Sequence, residues 1–473
     1  MGEADPHKRA QTPPASKSEF TGNVFNFGPQ HGIVSIGSHN VIEQTVAPGK
    51  DTNATPSATT ASSKAELPHF QSEGELGAFL QNWVRGQWKS QADGGTGRSG
   101  NAIIKCLWRG QAALLKVSAD AAGLGREAMH LAALREQGVG LSVARLFARA
   151  GVTDGDDRWM AYLMEPVGEM SLRDYLFTAT PSPGGFIESL RRGLSALYVR
   201  TGRLVAQPRY VQEYLQDIRK CLGKARGYAT FAGLAGSFDT ELAIKGVALV
   251  GPGRILKGLE ERLEQGDPAL LALNPAQDCH VHGDLHFENI RVNPNEADLG
   301  THWLIDPKEF DRGDYVYDLA KLLTSLTGHA HADIGENEKG NPRLTWTASA
   351  QGRIDFNCIL TARQVAGWRE ALAALEPLAT GVALRLESAP AGSADSRVRA
   401  VMRMKQRLLL ALARHYFSAV RYFLKREAQW LLFARGAQFL AMFQAALAEG
   451  PRKAPAQWDV FQVCASDAWL ETV

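Results

Sequence analysis

The sequence predicts an α+β fold in which the strands come first and the helices follow. Two observations carry this reading. From about residue 66 the apolar pattern runs helix, several strands, helix, strand, and then mostly helices with one hairpin. Beyond residue 178 the apolar residues recur at three- and four-residue steps, as in Leu190, Leu194 and Leu197, and again from Met402 to Leu447. At 473 residues the chain is too long for one core, so two or three units are expected, each burying its own apolar surface. The expected division is an extension over 1–65, a strand-rich unit over 66–167, a helical unit over 168–449 and a tail over 450–473.

Residues 1–19 are polar and Pro-bearing, and residues 47–64 are rich in Ala, Thr, Ser and Pro. Neither composition can bury enough to fold alone, so they read as a flexible tail and a linker. Between them, residues 20–46 hold short apolar runs separated by Gly-Asn and Gly-Pro punctuation, which predicts two or three small strands. So short a β segment needs a partner. Two readings stand: self-association by strand stacking, or an arm docked on the chain's own body.

In the next unit GGTGRSG, Gly94 to Gly100, joins two expected strands. The conformational freedom at Gly95, Gly97, Ser99 and Gly100 lets backbone amides approach phosphates. The strand QAALLKVS places Lys116 among apolar neighbours, which is unfavourable unless its charge finds a partner. The following helix offers one, because Glu127 lies on the same stripe as Leu124, Leu131 and Leu134. WMAYLMEPVGEM then reads as a strand, a connector and a helix start. Pro166 has no N–H, which leaves the Glu165 carbonyl and the Val167 amide as the connector's polar groups. Ser171 and Asp174 read as helix-capping residues.

The most informative stretch is residues 280–323. Ile290 to Val292 and His302 to Ile305 form an expected antiparallel hairpin, with Asn289 entering one strand and Asp306 leaving the other. Their oxygens therefore converge, and a pair of hard oxygen ligands suits magnesium. Asp284 lies in the loop just ahead, where a carboxylate can orient a hydroxyl and accept its proton. Isolated Asp and Asn residues in turns often only cap helices, but the ordered set argues against that. A zinc reading of His280, His282 and His286 lacks a fourth ligand. Asp318 reads as an anchor for the preceding loop, whereas Glu309, Asp311 and Asp314 either face a cationic acceptor or form a solvated acidic loop.

HGDLHxxN followed by IDP and GDxxYDLAKLL resembles the aminoglycoside phosphotransferase family, within the protein-kinase-like superfamily that includes choline and sugar kinases. The resemblance implies a bilobal protein-kinase-like fold, with a small β-rich N-lobe and a large, mostly helical C-lobe that forms the acceptor side. It implies Asp284 as catalytic base, Asn289 and Asp306 as magnesium ligands, and His282 as a loop-shaping residue. It also implies that Lys116 and Glu127 hold the α and β phosphates of ATP, and that Glu165 and Val167 meet the adenine. GTP is an alternative, because such hinge contacts are mostly backbone. Asp306-Pro307-Lys308 departs from the Asp-Phe-Gly of protein kinases, so a phenylalanine switch is not expected. A narrower likeness through IDPKEF and HYFSAVRYF is to phosphotransferase-like proteins of sugar or capsule metabolism. There His415, Tyr416, Arg421 and Tyr422 read either as core and rim or as a ligand pocket.

Composition agrees with a small-molecule enzyme. The 52 basic and 50 acidic residues nearly cancel, which gives no sign of a general nucleic-acid or membrane-surface binder. Five cysteines without a CxxC pair argue against zinc and disulfides and for a reducing compartment. The first residues lack the apolar stretch of a secretory signal, and no run of about 20 apolar residues stands out. A cytoplasmic location is expected. The expected function is transfer of the ATP γ-phosphoryl to a hydroxyl of a sugar, amino sugar, aminoglycoside or choline-like molecule. The alternative is a kinase-like signalling or defence protein acting on or binding a protein, assembled through residues 20–46.

Overall fold

The computed structural model describes residues 33–37, 40–44, 67–91, 102–137, 140–154, 157–178, 184–234, 236–294, 301–308, 312–329, 343–348, 352–360, 362–387, 393–423, 426–450, 459–466 and 470–472. The first unit is a mixed sheet with a helix on each face. The strands in this stretch of chain are β1 (Ile33–Gly37), β2 (Asn40–Gln44), β3 (His69–Phe70), β4 (Ala102–Trp108), β5 (Gln111–Ser118), β6 (Ser142–Val143), β7 (Leu146–Asp154) and β8 (Asp157–Met164). The sheet order is β2-β1-β4-β5-β8-β7, with β3 added to β4. β6 stands outside it. Within the β-prone segment β1 and β2 pair antiparallel, and β1 extends the sheet through Val34 against Ile103.

Alternation along β5 assigns its faces. Leu115 and Val117 point to α1 (Glu73–Gln91), which packs Leu76, Phe79, Leu80 and Val84 on that side, with Trp83 edge-on to Trp159. The opposite face meets α2 (Ala121–Gln137) through Leu124 and Ala128 against Tyr162 and Met164. Lys116 belongs to this second face, paired across the sheet with Tyr162.

A five-residue connector, Glu165 to Glu169, leads out of β8. Gly168 adopts φ 61°, and a Cβ there would stand 2.6 Å from Arg291 Cβ and 2.7 Å from the Val292 nitrogen. Only glycine lets the connector pass so close to the hairpin of Ile290–Val292 and His302–Leu304. Met170–Ser171 and β6 flank that hairpin in a small four-stranded sheet, so the connector and the hairpin form one block.

The second unit is built on the helices Gly184–Thr201, Tyr210–Arg226, Ala362–Leu386, Ala394–Ala419 and Arg426–Glu449 around one large apolar core. Three features differ from the sequence expectation. Besides the expected hairpin, Glu241–Ile244, Val247–Val250, Arg343–Ala348, Arg353–Leu360 and Leu470–Thr472 form a five-stranded sheet that the sequence reading did not expect. Among the described residues of the expected tail, Val460, Phe461 and Cys464 are buried in the main core. Among the described residues, Arg426–Glu449 is long and apolar enough to cross a membrane by length and composition, a stretch the sequence reading did not single out; 67% of its apolar window is buried in the fold.

Candidate active site

The charge of Lys116 finds its partners where its strand and helix meet. Its Nζ is 2.7 Å from Glu127 Oε1 and 3.2 Å from Asp306 Oδ1, and the lysine is 4% exposed. Burial alone would lower the lysine's pKa, but Asp306 and Glu127 outweigh it and hold the ammonium charged. Burial raises the Glu127 carboxyl, with Lys116 pulling it back down; Tyr162 adds a hydroxyl donor to the same oxygen. The three charges come from a strand, a helix and a loop of the following unit.

That loop is held from beneath. The strand Gln277–His280 leads into His282, Gly283 and Asp284, and the fully buried Asp318 carboxylate accepts from the amides of His282 at 2.7 Å and Gly283 at 2.8 Å. Tyr198 donates its hydroxyl to the same carboxylate at 3.0 Å. His282 is a spacer: its Nδ1 accepts from the Asp284 amide at 3.3 Å and its Nε2 donates to the Ile305 carbonyl at 2.9 Å. Burial takes its pKa down to about 3, and the neutral ring is the form that can donate and accept at once. Asn289 closes the loop by donating Nδ2 to the Asp284 carbonyl at 2.9 Å, while its own carbonyl accepts from the Ile305 amide at 3.0 Å.

Asp318 also gives the site a pH signature. Burial raises its carboxyl to about 6 in the fold, with the amides and Tyr198 opposing. A raised carboxyl pKa means the native chain binds more protons than the unfolded chain between pH ~4 and ~6, so this group's contribution to stability falls as pH rises through that window. Asp318→Asn is expected to flatten that slope, as read from denaturant midpoints at pH 4.5, 5.5 and 6.5. An unchanged slope would remove Asp318 as its source.

Asp284 faces two ammonium groups, Lys321 Nζ at 2.7 Å from Oδ1 and Lys308 Nζ at 3.0 Å from Oδ2, with His286 at 3.9 Å. Burial alone would raise its carboxyl, but Lys321, His286 and Lys308 outweigh this and hold it well below the usual carboxylate range. His286 pairs with Glu288, which in turn takes Arg173 at 2.7 Å. The backbone carbonyl of Lys308 meets His130 Nδ1, tying α2 to the segment after Asp306.

Asp306 sits at φ 55°, a left-handed conformation that Asp tolerates better than most side chains. Its Oδ1 is buried and has no hydrogen-bond partner besides the Lys116 ion pair. Asn289 spends its amide nitrogen on the loop and keeps its Oδ1 as an acceptor. This donor set fits a hard cation that completes its shell with phosphate oxygens and water, as magnesium does. Among the described residues no group of three or more His, Cys, Asp or Glu could hold a metal by itself.

The structure thus brings Lys116, Glu127, Asp284, Asn289 and Asp306 to one place. At the connector, the Glu165 amide donates to the Arg145 carbonyl at 2.8 Å and its carboxylate accepts from the Arg145 amide, and no hydrogen bond among the described residues uses the Glu165 carbonyl or the Val167 amide. Gly95, Gly97, Ser99 and Gly100 lie outside the described residues, as do Glu309 and Asp311. Asp314 does not face an acceptor: it caps the helix Tyr315–Thr324 and pairs, fully buried, with Arg407. His415 and Tyr416 are core, with Tyr416 bonded to the Thr327 hydroxyl. Sequence reasoning missed Lys308 and Lys321 as partners of Asp284. A usable signal existed, since Lys321 interrupts the apolar helix DLAKLL just as Lys116 interrupts its strand.

The model of the family described as the phosphotransferase enzyme family matches residues 106–348. No curated protein matches the chain. Among solved structures, the chain is similar to an aminoglycoside-3'-phosphotransferase of type VIII, at 21% identity and a TM-score of 0.29, over 60% of this chain and 91% of that one. It is also similar to a putative aminoglycoside phosphotransferase from Ralstonia eutropha, at 15% and 0.38, over 78% and 98%. A third is an ethanolamine kinase from Plasmodium vivax, at 12% and 0.34, over 75% and 82%.

Proposed function

The chain belongs to the phosphotransferase enzyme family, and from that premise we propose that it moves the γ-phosphoryl group of ATP, with magnesium, to a hydroxyl of a small molecule. The observation that carries this is the meeting of Lys116, Glu127 and Asp306 within 3.2 Å contacts, beside a loop that presents Asp284 and Asn289. Lys116 neutralises phosphate charge, and Glu127 fixes the direction of its ammonium. Asn289 and Asp306 would hold the magnesium ion, which supplies neutralisation of charge on the phosphate oxygens. The Glu165 carbonyl and the Val167 amide would meet the base, and such backbone contacts admit GTP as a second donor.

Asp284 orients the acceptor hydroxyl. The hydroxyl oxygen bonds to the γ-phosphorus as the bond from that phosphorus to the β,γ-bridging oxygen breaks. The hydroxyl proton passes to the Asp284 carboxylate and ADP leaves. Because Lys308 and Lys321 keep Asp284 ionised, the carboxylate is ready as acceptor across the neutral range.

Thermal unfolding with and without Mg-ATP tests the reading. Wild type is expected to gain about 2.7 kcal/mol at a hundredfold excess over Kd, with the gain largely lost in Asp306→Asn. A gain of equal size in the variant would separate Asp306 from the nucleotide site, and no gain in wild type would overturn the function.

A further inference from the structure

The surroundings of Asp284 carry more positive charge than that carboxylate needs. Lys321, with its side chain 15% exposed, and Lys308, 47% exposed, both stand on it. One ammonium neutralises one carboxylate; the second leaves an excess positive charge on the side open to solvent, where an acceptor hydroxyl must approach. Three other carboxylates of this region are already engaged. Glu288 is held by Arg173 and His286, Asp217 by Arg414, and Asp314 by Arg407. Further out, Tyr422 lies within electrostatic reach of Lys308 and carries Arg421 stacked 4.5 Å from its ring centroid.

We propose that the acceptor carries an anionic group, a carboxylate or a phosphate, beside the hydroxyl that is phosphorylated, and that Lys308 binds this group. Lys321 stays with Asp284, which it contacts from the helix below. The anionic group does not react: bond making and breaking are those given above for the hydroxyl, the γ-phosphorus and the departing ADP. An acceptor bearing amines would place like charge against Lys308. The amine-bearing acceptors that the sequence reading included are therefore selected against. The proposal rests on the phosphotransferase reading.

Steady-state transfer from Mg-ATP by the full chain tests it with acceptors of shared skeleton: glucose, glucosamine, glucuronate and glucose 6-phosphate, with choline and glycerate beside them. The acidic members are expected to lead in kcat/KM, by about tenfold or more over their amine-bearing counterparts. Comparison of glucuronate with glucose 6-phosphate tells carboxylate from phosphate. Lys308→Gln is expected to raise KM for the leading acidic acceptor about tenfold while the KM for neutral glucose and for ATP changes less than about threefold, whatever the loss in kcat common to all acceptors, and Lys308→Arg to restore it. The Lys308 side chain is half-exposed and does not anchor the fold, and an unchanged thermal midpoint checks this. The proposal falls if an amine-bearing or neutral compound leads, if no acidic member is turned over while Mg-ATP still stabilises the chain, or if Lys308→Gln leaves acceptor KM unchanged. Absence of any stabilisation by Mg-ATP would instead bring down the phosphotransferase reading and this proposal together.

Discussion

Asp284→Asn is expected to lower kcat by about 10³, within the range by which positioned general bases act, while Mg-ATP still raises the thermal midpoint. The substitution keeps the shape of the loop, because its links run through the backbone of residue 284: its carbonyl accepts from Asn289 and its amide donates to His282. What disappears is the carboxylate charge that orients the hydroxyl and takes its proton. The depressed pKa makes Asp284 a weak base in the resting site, so its value lies in holding the hydroxyl in line rather than in deprotonating it beforehand. It also means that an acid limb in the pH–rate profile near pH 5 belongs to another group. Turnover within tenfold of wild type, at unchanged nucleotide binding, would show that another residue takes the proton.

The sequence made the centre of the site legible because several of its residues break local rules. A lysine in an apolar strand, an acid on an apolar helix stripe and an ordered Asp-Asn-Asp set around a hairpin are each hard to explain by folding alone, and the structure brings them together. Other parts were hidden because they depend on distant partners. Asp314 reads as a loop acid until Arg407, 93 positions later, is seen against it. Lys308 looks like an ordinary turn residue until the loop brings it onto Asp284. The strand Leu470–Thr472 is too short for its pattern to speak, and joins a sheet only because Arg353–Leu360 offers an edge. The expected α+β order was readable from periodicity, but the second sheet was not. Its strands are separated by a long stretch of sequence and meet only in the folded chain.

Arg407→Ala is expected to cost about 3–5 kcal/mol of stability, the range for removing one partner of a buried ion pair. The guanidinium is fully buried and holds two carboxylates, Asp314 at 2.7 Å and Glu387 at 2.6 Å, with a further bond to the Leu273 carbonyl at 3.0 Å. Truncation leaves both acids facing each other without solvent. Burial already raises the Asp314 carboxyl against the pull of Arg407, so without the arginine one acid must take up a proton. The loss should therefore be larger at pH 8 than at pH 5, as read from denaturant midpoints; a loss below about 1 kcal/mol at both would mean that the network contributes little. The consequence reaches the site through one helix. Asp314 caps Tyr315–Thr324, and the same helix carries Asp318 beneath the loop and Lys321 against Asp284. A frayed first turn would loosen the amides of His282 and Gly283, so kcat should fall before the chain unfolds, and most at the higher pH.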